Sequence, residues 1–104
     1  MHVVAVQFDV RWEDKAANFT RVRELLKDSA VPAGSLIVLP EMFSTGFSLN
    51  LDATRQGTPP EGEQFLAALA REYQSAVIGG VVESGSARPA NQSVAFAPDG
   101  RELT

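Results

Sequence analysis

Two carboxylates stand just beyond apolar runs. Glu41 follows Leu36-Ile37-Val38-Leu39 and Pro40, and Asp9 follows Val3-Val4-Ala5-Val6-Gln7-Phe8. In open α/β sheets the crossover loops leave a crevice at the carboxyl ends of the strands, so side chains at those ends are placed for chemistry. Beside Leu39, Met42, Phe43 and Phe47, a Glu41 carboxylate is expected to be partly desolvated. It would then take up a proton more readily, as a general base must. Pro40 biases Leu39 toward an extended conformation and fixes its own φ, and Gly46 with Ser44 and Thr45 lets the backbone turn closely around the carboxylate. A second reading stands beside this one: Pro40-Glu41 as the first turn of a short helix, with the carboxylate complementing the helix dipole. Asp9 reads as a turn or capping residue ahead of Trp12-Glu13-Asp14. With Glu41 it would make half of a two-carboxylate Mg²⁺ site that still needs a third oxygen ligand.

Other chemistries are narrowed by composition. The 104 residues contain no cysteine, which removes disulfides, thiolate metal sites and a thiol nucleophile from within them. His2 is the only histidine and reads as exposed beside the terminus, so Ser44, Thr45 and Ser48 have no other imidazole to serve as base. Gly79-Gly80 lacks the GxGxxG spacing of a dinucleotide loop and indicates a close backbone approach or a bulge. Trp12, Phe65 and Tyr73 read as packing residues. Thirteen acidic against nine basic residues give a net charge of -4, and no Lys/Arg cluster is present to neutralise phosphates. Nucleic acid and membrane are therefore poor candidates as partners. The opening Met1-His2-Val3-Val4-Ala5-Val6 has no basic flank, and Gln7 and Asp9 interrupt its apolar run, which leads us to expect a soluble cytoplasmic protein.

The elements that must position these side chains follow from periodicity. Val3 to Phe8, Leu36 to Leu39 and Ala76 to Val82 are apolar on both faces, the pattern of strands covered on each side. Asp14 is the expected N-cap of a helix whose apolar positions are Phe19, Val22, Leu25, Leu26 and Ala30, ending before Pro32 and Gly34. Thr58-Pro59-Pro60-Glu61 suggests a capping box ahead of a second helix with Phe65, Leu66, Leu69 and Tyr73 as its stripe. Strand, helix, strand, helix, strand implies an α/β fold of βαβ units with right-handed crossovers. Ser93 to Ala97, then Pro98-Asp99-Gly100, then Arg101 to Thr104 reads as a β-hairpin whose return strand is cut short. At 44% hydrophobic residues the chain has material for one modest core and no linker that would divide it.

Taken together, VVAVQFDV, a helix carrying Asn18, LIVLPEMFSTGFS, FLAALAREY, AVIGGVVES and NQSVAFAPDG resemble the opening of the nitrilase superfamily of carbon-nitrogen hydrolases. LPEMFSTGFS is most similar to its ω-amidase-like branch. The resemblance covers essentially the whole chain. It implies the N-terminal portion, residues 1–104, of a single carbon-nitrogen hydrolase domain with an α-β-β-α sandwich fold and a Glu-Lys-Cys site, without metal or organic cofactor. Glu41 matches the general base that takes the thiol proton, and Phe43, Gly46 and Phe47 match positions along the substrate pocket wall. The implied partner is a small-molecule amide, such as a dicarboxylic acid monoamide like 2-oxoglutaramate, and the intact protein is expected to be a homodimer.

The sequence departs from the family pattern after PDG. The family's Tyr-x-Lys-x-His-Leu-Phe segment and its cysteine are not found, and Lys15 and Lys27 fall on the first helix, where they cannot substitute. The chain is thus expected to supply only the glutamate and to be inactive alone. The alternative is a complete, non-enzymatic α/β module that binds a small molecule or a partner through its strand ends.

Overall fold

The computed structural model describes residues 1–57, 59–83 and 90–103. In order they form β1 (Val3–Ala5), α1 (Lys15–Lys27), β2 (Leu36–Val38), α2 (Leu51–Thr54), α3 (Glu61–Tyr73), β3 (Ala76–Val82) and β4 (Asn91–Phe96). The sheet has strand order β1-β2-β3-β4, parallel through the first three strands and antiparallel at the last. The expected βαβ units and hairpin are both present. After β4, Phe96 bridges Glu102, and the backbone N–H of Leu103 donates to Ala95 O at 2.8 Å. Gly100 supplies the left-handed residue of the turn at φ +87°, a conformation that costs glycine little.

Asp14 caps α1 as its type and position predict, accepting from the Ala17 N–H at 3.1 Å. The buried face of α1 is Asn18, Val22 and Leu26, three positions four residues apart and so one above another. Ala30, expected on this stripe, lies past the helix end at φ +48° and is exposed.

At the start of α3 the cap is Pro60 without a side-chain hydrogen bond; the predicted capping residue Thr58 lies outside the described residues. Glu61 instead turns back to accept from the Gly57 N–H and pairs with Lys15, which also donates to Arg55 O at 2.6 Å. Burial pushes the Glu61 carboxyl up. The hydrogen bonds from Lys15 and from the backbone N–H groups of Gly57 and Glu61 together outweigh burial and hold it below the ordinary glutamate range. The start of α1 is thereby tied to the start of α3.

Val4, Ile37, Val77 and Phe96 stand opposite one another across the four strands. Their row packs against Val22 and Leu26 of α1 and Leu66, Leu69 and Ala70 of α3 in one core. Phe19 stacks on Phe65 at 4.3 Å between centroids, and the Arg23 guanidinium sits 5.1 Å above the Phe65 ring. The two long helices therefore lie side by side. Right-handed crossovers that advance in one direction across a sheet place both helices on one face.

Of the two covered faces expected for the strands, the helices of these residues cover one, while on the other Gly80 and Val82 are buried. The alternate row, Ala5, Val38, Ile78 and Ala95, is exposed or half-buried, and Val3 beside it is 62% exposed. β1 is also shorter than its apolar run, although the Val6 N–H still reaches Val38 O at 2.9 Å. Among the described residues, no helix is long and apolar enough to cross a membrane.

Candidate active site

Glu41 sits where parallel pairing of β2 with β3 gives out. The Leu39 N–H donates to Ile78 O at 2.8 Å and the Gly80 N–H to Pro40 O at 3.4 Å, so the ladder runs one residue past Leu39. Met42 then takes φ +48°, a left-handed conformation that is uncommon for a residue with a side chain and is associated with functional turns. The N–H groups of Thr45 and Gly46 both donate to Met42 O, at 3.3 and 2.9 Å. A left-handed residue directly after Glu41 cannot continue a right-handed helix, so the helix-dipole reading of Glu41 loses its helix.

The turn sorts its side chains by direction. Met42 is buried, and Phe43 is fully enclosed in the core with its ring 6.0 Å from Phe19 and 5.9 Å from Phe65. Glu41 points the other way and is exposed. The expected desolvation of Glu41 by Leu39, Met42, Phe43 and Phe47 is therefore not found among these residues: Leu39 and Phe43 belong to the core, Met42 is buried in the turn, and Phe47 is 64% exposed. Phe43 offers no surface to a ligand, for the same reason. Gly46 at φ +79° packs its bare Cα face against Trp12, and its turn leaves Phe47 in solvent.

Two neighbours fix Glu41. A Cβ on Gly80 would come within 2.6 Å of Glu41 Cα and 2.9 Å of Met42 N, so the close approach that Gly79-Gly80 implied is that of the Glu41 backbone onto β3. Asn91, paired with Val82 across the β3–β4 ladder, donates its side-chain N–H to Glu41 Oε1. Side chains directly opposite in a ladder share a face and alternate along each strand. Gly80, Val82 and Asn91 thus stand on the same side of the sheet, the side away from the helices.

Asn18 is a residue whose importance the sequence signalled without a role. It is 1% exposed and makes three hydrogen bonds: it accepts from Arg11 N at 2.7 Å and donates to Arg11 O at 2.8 Å and to Ser44 O at 2.7 Å. The loop after β1 is thereby joined to the loop after β2. Its signal was an amide at a stripe position shared with Val22 and Leu26, since a buried polar group must find partners. Glu13 strengthens the junction: its N–H donates to Thr45 O at 2.9 Å, and its carboxylate accepts from the Ser48 hydroxyl at 2.9 Å. Thr45 and Ser48 are buried in these turn contacts. α2, which opens at Asn50 as a side-chain cap, was not anticipated, though Asn50-Leu51-Asp52 carries an N-cap followed by a first-turn acid.

Asp9 is exposed and lines an open cleft of about 690 Å³ along α1, with Gln7, Arg11, Asp14, Asn18 and Arg21 among its walls; Glu41 is not part of it. Among the described residues no three His, Asp or Glu side chains gather as metal ligands, so the Asp9/Glu41 pairing gains no third ligand.

The Carbon-nitrogen hydrolase family pattern matches residues 2–104. A nitrilase from Pyrococcus abyssi (strain GE5 / Orsay) is 28% identical over 106 aligned residues, which cover 94% of this chain and 39% of that protein. Among solved structures, a CN-hydrolase superfamily protein from Xanthomonas campestris, crystallised with an arsenic adduct in its active site, superposes with a TM-score of 0.85 at 26% identity, over 99% of this chain and 40% of that one. A carbon-nitrogen hydrolase from Helicobacter pylori G27 shares the fold with a TM-score of 0.84 at 18% identity, over 100% and 38%. The chain thus spans about two fifths of the length of these relatives. With the family pattern running from residue 2 to residue 104 and the fold shared over that span, the chain belongs to the carbon-nitrogen hydrolase family.

Proposed function

We infer that these residues form the N-terminal portion of an amidohydrolase domain that cleaves the terminal C–N bond of small ω-amides, with Glu41 as its general base. The observation that carries this reading is the placing of Glu41: a carboxylate at a strand end, turned outward by a left-handed residue and oriented by Asn91. A general base must present a lone pair to the proton it removes, and one oxygen of a carboxylate held through the other does so.

In the mechanism Glu41 takes the proton of a cysteine thiol, and the thiolate attacks the amide carbonyl. A lysine helps stabilise the oxyanion; the protonated Glu41 gives its proton to the departing nitrogen, ammonia leaves, and the regenerated carboxylate takes a proton from the water that hydrolyses the thioester and frees the thiol. The 104 residues contain no cysteine, and Lys15 is engaged with Glu61 and Arg55 O at the helix starts. Nucleophile and lysine therefore come from other residues of the intact protein, and the 104-residue chain by itself is inactive. The Gly46-Phe47 turn lies on the rim of the substrate pocket, and LPEMFSTGFS supports the ω-amidase-like branch, hence substrates of the 2-oxoglutaramate class. A complete non-enzymatic module of this fold would leave the apolar row of Ala5, Val38, Ile78 and Ala95 facing water, which disfavours it.

Ammonia release from 2-oxoglutaramate by the product of the full coding sequence tests the reading. Activity is expected in the wild type and loss of about 10³-fold or more in Glu41→Gln, in keeping with the cost of removing a member of a nucleophile–base pair. Absence of ammonia release from every ω-amide tried, or undiminished release by Glu41→Gln, would overturn it.

A further inference from the structure

We propose that Asn91 is a positioning residue for Glu41, holding one carboxylate oxygen so that the other faces the reacting thiol. The inference rests on the role of Glu41 given above and adds a residue from a different strand. β4 runs antiparallel to β3, and its register sets Asn91 opposite Val82 and Ser93 opposite Gly80. Gly80 is where the backbone of Glu41 touches the sheet. The side chain of Asn91 thus begins one pleat away from the carboxylate, on the same face, and its amide donates to Oε1.

Residue type matters at this point. A carboxylate is acceptor-only, so its partner must be a donor, and an asparagine amide supplies the donor without charge. A lysine or arginine in its place would bind the carboxylate as an ion pair and compete for the lone pair that receives the proton. The two contacts are complementary: Gly80 sets the height of the Glu41 backbone above the sheet, while Asn91 sets the rotation of its carboxylate. Among the described residues, Asn91 is the one side chain that hydrogen-bonds to Glu41, so the rotation of this carboxylate about its last bond is referred to β4.

The test uses the intact protein with Asn91→Ala, Asn91→Asp and Glu41→Gln. Asn91→Ala is expected to lower kcat for 2-oxoglutaramate about 10- to 100-fold, as a misplaced catalytic group does, with KM within about twofold of wild type. Asn91→Asp, of nearly the same shape but with an acceptor where a donor is needed, should be at least as slow. The side-chain amide resonance of Asn91, identified by its loss in either variant at 91, should move on Glu41→Gln whether or not that variant turns over. Wild-type kcat in Asn91→Ala, a raised KM with kcat unchanged, or an Asn91 resonance indifferent to Glu41→Gln would each overturn the proposal. Undiminished ammonia release by Glu41→Gln instead overturns the base assignment, and that measurement is made before any change at 91.

Discussion

Glu41 and Gly80 touch backbone to backbone: a Cβ on Gly80 would stand 2.6 Å from Glu41 Cα, closer than such atoms can approach. At Gly79 the nearest atom to a built Cβ is Leu66 Cδ2 at 3.0 Å, the far end of a side chain that can move. Gly80→Ala must therefore displace the Pro40–Met42 turn, whereas Gly79→Ala needs only a rotamer adjustment. Overpacking of the first kind costs about 1–3 kcal/mol. Urea denaturation should show that loss for Gly80→Ala and a smaller one for Gly79→Ala, and equal losses would contradict the distinction.

Asn18→Ala removes a buried amide that satisfies Arg11 N, Arg11 O and Ser44 O. Leaving such groups without partners costs about 1–3 kcal/mol. The expected signature is a lower denaturation midpoint together with faster amide hydrogen exchange around Arg11 and Ser44. A midpoint within error of wild type would show that water replaces the amide at no cost.

Phe43 lies wholly inside the core between Phe19 and Phe65, so Phe43→Ala should act on stability. Truncating a buried phenylalanine costs about 3–5 kcal/mol, a large part of the stability of a small domain. Phe47→Ala, at an exposed position, should leave the thermal midpoint nearly unchanged and raise KM for the amide in the intact protein. A reversal of these two outcomes would return Phe43 to the pocket wall.

Glu61 is held below its ordinary range in the folded chain, and the sign of the effect on stability follows. A carboxyl depressed by folding contributes stability that is fully present above the unfolded-state value, about 4.3. That contribution disappears as pH falls through the lower folded value. Glu61→Gln should therefore lower the thermal midpoint at pH 7, and the gap from wild type should narrow below about pH 4. Its size is modest, because Glu61 is about one third exposed and such pairs are screened. A gap that widens toward low pH would contradict the direction.

Much of the architecture was legible because it follows local rules. Asp14 as a cap, Val22 and Leu26 on the buried face of the first helix, the order of βαβ units and the Pro98-Asp99-Gly100 hairpin each rest on residues close in sequence. The strand-end position of Glu41 was legible too, since Pro40 and the apolar run before it define that edge. Less legible was direction. Leu39, Met42, Phe43 and Phe47 are neighbours of Glu41 in sequence, but strand alternation at Leu39 and the left-handed residues Met42 and Gly46 decide which are buried and which exposed. No residue type at position 42 announces that conformation. The partnership of Glu41 with Asn91, 50 residues apart, depends on the register of β4 against β3, a tertiary outcome. Likewise, apolar residues on both faces of the strands indicated burial on both, but which face the helices take is set by the crossovers, which place both long helices on one side.

The contact between Gly46 and Trp12 has a practical corollary. Trp12 is the chain's only tryptophan, it is 61% exposed, and its six-membered ring lies where a Cβ on Gly46 would be 3.1 Å away. Asn18 ties the segment just before it to Ser44. The one tryptophan of these residues therefore rests against the loop that follows Glu41. Within these 104 residues its emission wavelength and quenching give a label-free optical gauge of that loop.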